Sequence, residues 1–303
     1  FRNVYPAFRY APVELVAVCD LDLARAQAYA RQFGAQKAYA DHRDMLAKEE
    51  LDAVFIVTAY TGDGRMQATD IALDVLAAGR HVWMEKPTAA STAQVRALID
   101  ASAKAGRIVM TGLKKLFFPT IAKVKEIMAD PSFGARTSVY IRYPQSIPRP
   151  ANRTDAVKML GLLDHIYHPA AILDWLMGPI ERFSHEWEGR TGSSVASLRF
   201  ASGAVGTLHL AAGASGFSPL ERVEVVGEGS NVVVENGAKL TWHRPAARPA
   251  YGRSASFLVP DAEAPLVWEP EFSLGQLNNN TLFLLGYAQE IQHFCDCVLQ
   301  GRQ

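Results

Sequence analysis

The chain has little of what marks several large protein classes. Three cysteines (Cys19, Cys295 and Cys297) are too few for a disulfide framework, which points to a reducing compartment, the cytoplasm by default. There is no excess of either charge: 31 Lys plus Arg against 31 Asp plus Glu give a formal net charge of zero. Composition therefore offers no electrostatic pull toward nucleic acid or an anionic membrane surface. No apolar stretch approaches the roughly 18 residues that a membrane span needs. A Gly-x-Ser-x-Gly elbow, a Walker phosphate loop, internal repeats and low-complexity tracts are all missing. No metal site is expected either, because Cys295 and Cys297 point apart on a helix and no second Cys/His cluster completes a ligand set with His293. The chain opens at Phe1 without methionine, shows no signal peptide, and enters an amphipathic helical pattern at once.

What is present is a soluble, two-domain composition: 303 residues, 49% apolar and 20% charged. From residue 13 to about 111, apolar runs alternate with helical segments. Strands are expected at 13–19, 51–58, 81–84 and 108–111, and helices at 22–33, 66–78 and 91–105, with Gly34, Gly79 and Gly106 as stops. Such alternation implies βαβ units and a doubly wound parallel sheet of the nucleotide-binding kind. After about residue 117 the pattern changes. A helix at 119–129, a strand at 137–143 and an apolar helix at 157–177 precede short runs at 193–200, 204–212, 220–226, 230–235 and 238–242. Hairpin-type breaks between those runs imply a largely antiparallel sheet in an α+β domain. Residues 244–276 read as a loop and 281–299 as a closing helix. The expected division is 1–116 and 117–303.

Ligands of a doubly wound sheet bind beyond the carboxyl ends of its strands. That directs attention to Asp20, Thr58 and Glu85-Lys86-Pro87. An acid at Asp20 either accepts hydrogen bonds from the adenosine ribose and repels the extra phosphate of NADP, or caps the following helix. Asp22 adds a second negative charge, and no arginine adjoins Asp20 to reward a phosphate. The glycine-rich loop belonging about 20 residues upstream would lie just before Phe1, so the first strand is expected to be missing. Lys86 is either an exposed loop lysine or a group that orients a substrate hydroxyl, aimed by a Lys-Pro bond that can be cis. Asp164 and His168 stand i, i+4 on an apolar helix. There they form either a self-satisfied pair or an acid and imidazole facing a polar substrate.

Together, Val16-Ala17-Val18-Cys19-Asp20, Ala78-Gly79-Arg80-His81-Val82, Glu85-Lys86-Pro87, Asp164-x-x-x-His168 and Gly286-Tyr287-Ala288-x-Glu290-x-x-x-Phe294 resemble the Gfo/Idh/MocA family of NAD(P)-dependent oxidoreductases. The resemblance implies a Rossmann domain followed by an α+β domain with a large, mostly antiparallel open sheet used for homo-oligomers (dimer or tetramer). It implies NAD as cofactor, with NADP second, and a sugar, glycoside or polyol as small-molecule substrate; neither nucleic acid nor membrane is a partner. Lys86, Asp164 and His168 map to the catalytic positions. His168 would take the proton of a secondary hydroxyl, Lys86 would hydrogen-bond that hydroxyl, and Asp164 would bind a neighbouring one. Cofactor contacts fall to Asp20, Thr58, Ala59, Glu85, Lys86 and Lys115; substrate contacts fall to Lys86, Arg153, Lys158, Asp164 and His168.

The chain departs from the family pattern at Ala59-Tyr60-Thr61-Gly62-Asp63-Gly64, at Lys114-Lys115-Leu116-Phe117, and at Met159-Leu160 before the candidate acid. Arg142 is a further candidate for hydroxyl contacts, and Phe117, Phe118, Tyr143 and Tyr167 are candidate stacking faces. Two other functions are compatible with the same pattern: a glycoside hydrolase that uses held NAD for transient oxidation, and a non-catalytic nucleotide-binding sensor.

Overall fold

A computed structural model describes residues 3–58, 60–62, 64–218, 220–246, 261, 263–271 and 281–302. In chain order the elements are α1 (Val4–Ala7), β1 (Ala17–Cys19), α2 (Leu23–Phe33), β2 (Lys37–Tyr39), α3 (His42–Lys48), β3 (Ala53–Ile56), α4 (Ala68–Ala77), β4 (His81–Glu85), α5 (Thr92–Ala105) and β5 (Val109–Gly112). Then come α6 (Pro119–Ala129), β6 (Ser138–Tyr143), α7 (Ala156–Met177), β7 (Ile180–Trp187), β8 (Ser194–Phe200), β9 (Val205–Leu210), β10 (Arg222–Val226), β11 (Asn231–Glu235), β12 (Lys239–His243), β13 (Leu266–Trp268), α8 (Thr281–Leu284) and α9 (Tyr287–Gln300).

The chain divides into two compact units, one of residues 1–114 and 287–303, the other of residues 115–286. The closing helix α9 thus joins the first unit, whereas a boundary at 116/117 assigned it to the second. The cause is its apolar stripe: Tyr287, Ala288, Ile291, Phe294 and Cys295 are buried, and Phe294 packs edge-on against Phe55 of β3 at 5.3 Å between ring centroids. The Gln292 amide also donates to the Tyr10 carbonyl at 2.5 Å.

The first unit carries the expected parallel pattern as two ladders, β1–β2 and β3–β4–β5, with no described strand linking them. Local signals set the helices. Asp22 caps α2 by accepting from the Ala24 and Arg25 N–H groups, and Gly34 ends it in the left-handed region. Ser91 and Gly106 do the same for α5. Ile56, Val75, Leu76, Val82, Met84 and Leu98 form the core between sheet and helices. Glycine is required at Gly112, where a Cβ would fall 2.7 Å from the Trp83 ring.

In the second unit an eight-stranded sheet runs β13-β12-β11-β10-β6-β9-β8-β7, antiparallel except for the parallel β6–β9 pair. One face, with Ile141, Leu198, Leu208, Val223 and Val225, packs under Ile121 and Val124 of α6 and Ile172 and Leu173 of α7. The other face carries Tyr140, Ser197, Thr207 and Glu224 in one row and Ser138, Arg199 and Val205 in the next. The residues 244–276 expected as a loop lie mostly outside the described residues; β13 is the part described as strand.

Candidate active site

In the first unit the strands are parallel, so their carboxyl ends share an edge, and the sequence candidates collect there. Asp20 follows β1. Its carboxylate accepts from the Asp22 N–H at 2.9 Å and holds the Arg25 guanidinium through two bonds, at 2.7 and 2.6 Å. The bond to Arg25, ahead of the other influences, pulls the Asp20 pKa below its ordinary value. An arginine therefore does stand beside Asp20, contrary to the sequence expectation. It comes within reach because α2 starts at Leu23, which puts Arg25 in the first turn over the end of β1. Thr58 is exposed two residues past β3, and Ala59 lies outside the described residues.

Glu85 ends β4, pairing with Gly112 of β5, and its Oε2 accepts the backbone N–H of Lys86 at 2.9 Å. Lys86 is half-buried and its bond to Pro87 is cis. The next residue is tied on two sides: the Thr69 hydroxyl donates to the Thr88 carbonyl at 2.9 Å, and the Thr88 and Thr111 hydroxyls meet at 2.8 Å. The Glu-Lys-Pro turn is thus anchored to α4 and β5 immediately after the lysine. An ionised acid at the end of β1 is a fitting acceptor for the ribose of NAD(P), and an anchored lysine at the end of β4 fits the reactive end of a cofactor site.

In the second unit α7 begins with the Asp155 cap, which accepts from the Lys158 N–H at 3.2 Å. The helix is not buried throughout, as its composition suggested. His168, Pro169, Ile172, Leu173, Leu176 and Met177 are buried, while Val157 and Leu163 are exposed. His168 is 5% exposed, one turn after a half-buried Asp164. Asp164 lies close enough to Tyr143 that its charge, after burial and Glu221, raises the phenol pKa. Beside them the Lys115 ammonium reaches both oxygens of Glu221 at 2.5 Å and sits 4.6 Å from the centre of the Tyr143 ring. Lys115 is thus engaged inside the second unit by its ion pair with Glu221.

Other expectations shift for similar reasons. Phe118 and Tyr143 are buried in the core and offer no stacking face. Arg142 projects from the sheet face opposite Ile141 and Tyr143, away from the α7 side. Lys158 is exposed and lies 3.5 Å from Asp155. Arg153 donates to the Pro148 carbonyl at 2.9 Å and stacks at 5.0 Å on Trp187. Reading the sequence missed Glu221, whose partner lies 106 positions away, and Arg25, for which an arginine one turn into the helix after Asp20 was the available signal.

A parallel α/β unit with an acid closing one strand and Glu-Lys-Pro closing another, followed in sequence by an α+β unit with an Asp/His helix, defines a two-domain protein with a nucleotide-binding type of first unit. The chain belongs to the GFO/IDH/MocA family: residues 2–113 match the oxidoreductase family's NAD-binding Rossmann fold, and residues 121–233 match the GFO/IDH/MocA C-terminal domain. It is 27% identical over 189 residues to inositol 2-dehydrogenase of Salmonella typhimurium, covering 62% of this chain and 54% of that protein. The chain thus spans about half the length of that relative. Myo-inositol 2-dehydrogenase of Thermotoga maritima is 26% identical over 75% of this chain and 69% of its own length. Among solved structures, the WlbA dehydrogenase of Bordetella pertussis in complex with NADH and UDP-GlcNAcA is 25% identical, with a TM-score of 0.64 over 78% of this chain and 75% of that one. A dehydrogenase from Chromobacterium violaceum shares the fold with a TM-score of 0.79 at 21% identity, over 99% and 84% of the two chains.

Proposed function

We propose that the protein is a dehydrogenase that oxidises a secondary hydroxyl of a sugar, glycoside or polyol, with NAD preferred over NADP. The observation that carries this reading is Lys86, anchored through Glu85 and Thr88 at the carboxyl end of a parallel strand in the cofactor-binding unit. The printed activities of the inositol dehydrogenases support the substrate class. The bound dinucleotide supplies the hydride acceptor; the chain supplies alignment and proton transfer. His168, buried on α7, accepts the hydroxyl proton; Lys86 holds the hydroxyl oxygen by donating to it; Asp164 accepts from a neighbouring hydroxyl. Asp20 takes the ribose hydroxyls on the lone pairs its bonds to Arg25 leave open, and its negative charge disfavours a phosphate there against the pull of that guanidinium. Arg153 and Lys158 remain substrate contacts of second rank, since both already have partners in the protein.

The test is a panel of sugars, glycosides and inositols with NAD and then NADP, followed by absorbance of the reduced cofactor. Lys86→Ala and His168→Ala should each lower kcat by about 10²–10⁴-fold. Because both serve one hydroxyl, the double variant should lose much less than the product of the single losses. Full activity of either variant, or strictly multiplicative losses, would refute the assignment. Cleavage of a glycoside without net release of NADH would favour the hydrolase instead. The open face of the eight-stranded sheet, with exposed Val195 and Val205 among Arg182, Arg199 and Glu224, supports a homo-oligomer formed through it. Light scattering of Val205→Glu should then give a smaller mass than wild type.

A further inference from the structure

Two acidic side chains of the first unit lie near enough for their charges to interact, one of them at the Glu-Lys-Pro turn. Glu290 of α9 is 1% exposed, and no side chain among the described residues hydrogen-bonds either carboxyl oxygen. The charged groups facing it are Glu85 at the end of β4 and Lys114 just after β5, along with the backbone of Leu113. Both neighbouring donors are shared with other acceptors. The Leu113 N–H is given to the Thr111 carbonyl at 2.8 Å, and the Lys114 ammonium to the Tyr287 hydroxyl at 2.8 Å, with Lys114 lying 4.4 Å from the centre of that ring. Glu85 is differently placed: its Oε2 accepts the Lys86 N–H, which favours the ionised form.

Two carboxyl groups sharing so dry a place do not both ionise. Burial first, and then the Glu85 charge, hold the Glu290 proton well above the ordinary carboxyl range. We propose that Glu290 is a positioning residue that acts as a neutral acid: it leaves Glu85 as the single negative charge behind the turn, and so keeps that carboxylate on the Lys86 N–H. Ionisation of Glu290 sets a second charge against Glu85, loosens its hold on the Lys86 backbone, and weakens the cofactor site. The inference rests on the cofactor-binding reading of this unit and is independent of the substrate.

NADH titration of the whole chain, read by fluorescence without substrate, tests it. Glu290→Gln is the neutral mimic. Its affinity should lie within about twofold of wild type near pH 6 and stay level as the pH is raised, while wild type weakens at least about fivefold as Glu290 ionises. Parallel pH profiles for the two proteins, or a Gln variant already crippled near pH 6, would overturn the proposal. Infrared pH-difference spectra of wild type alone decide the matter if the variant does not fold. The expected result is loss of a protonated-carboxyl carbonyl band on alkaline titration, and the absence of such a band near pH 6 defeats the idea. A wild type that binds no NADH at any pH would instead refute the cofactor reading, and the infrared result would still judge Glu290.

Discussion

The two units bury ionisable side chains in opposite ways. In the second, Lys115 is 8% exposed and retains its charge by meeting both oxygens of Glu221 at 2.5 Å, under the Tyr143 ring. In the first, Glu290 is 1% exposed, its cationic neighbour Lys114 is shared with Tyr287, and its neighbour Glu85 is a like charge, so it keeps its proton. An ion pair offsets the cost of a buried charge by geometry. A retained proton removes the same cost only while the solution permits it.

The comparison breaks most visibly at Lys115. Lys115→Met leaves Glu221 without its cation and should cost about 2–4 kcal/mol in urea unfolding, toward the lower end because Glu221 keeps some access to water. Lys115→Met combined with Glu221→Leu should recover most of that loss, and a double variant as unstable as the single one would show that the pair matters for more than its charges. The contrasting experiment is the thermal midpoint of Glu290→Gln against pH. A raised folded pKa stabilises the native state fully below the unfolded carboxyl pKa, and the benefit drains away as pH rises through the folded value. Wild type should therefore lose stability on the alkaline side relative to the glutamine variant; superimposable curves would mean that Glu290 is already ionised. The smallest effect belongs to Asp20 and Arg25. Their bond is half in solvent, so Arg25→Ala should shift the thermal midpoint least of the three. The Asp20 pKa is depressed, so that small contribution is present above the ordinary carboxyl pKa and fades as pH falls through the folded value. Asp20→Ala should weaken NAD more than NADP in binding titrations, and equal losses would remove Asp20 from ribose recognition.

How much was legible in the sequence follows the physics of each element. Helices with strong ends were read to within a residue or two, because Asp22 with Gly34 and Ser91 with Gly106 supply both caps locally. Strands with a core face were read equally well: β8 alternates buried and exposed along its length, as its sequence does. The misses have a common cause. β7 is an edge strand exposed at nearly every position, and Ile180-Glu181-Arg182-Phe183-Ser184-His185-Glu186 has no apolar alternation to declare it. β2 and α3 are too short to carry a period. The expected strand over 13–19 shrinks to Ala17–Cys19, since ladder pairing with Lys37–Tyr39 fixes its length, not hydropathy. Among site residues, Glu85, Lys86, Asp164 and His168 were visible as motifs. The engagement of Lys115 by Glu221 was not, because charge pairing at long sequence separation leaves no local trace. Glu290 was visible all along as an acid on the apolar stripe of Tyr287, Ile291 and Phe294, where an ionised side chain does not belong.

The membership of α9 in the first unit has a consequence for biosynthesis. A ribosome releases residues 287–300 after residues 115–286, so the seam around Phe55 that Ile291 and Phe294 close stays open while all of the second unit is made. The first unit, begun before the second, is completed after it. Until then its uncovered apolar strip is the part of the nascent polypeptide most in need of a chaperone.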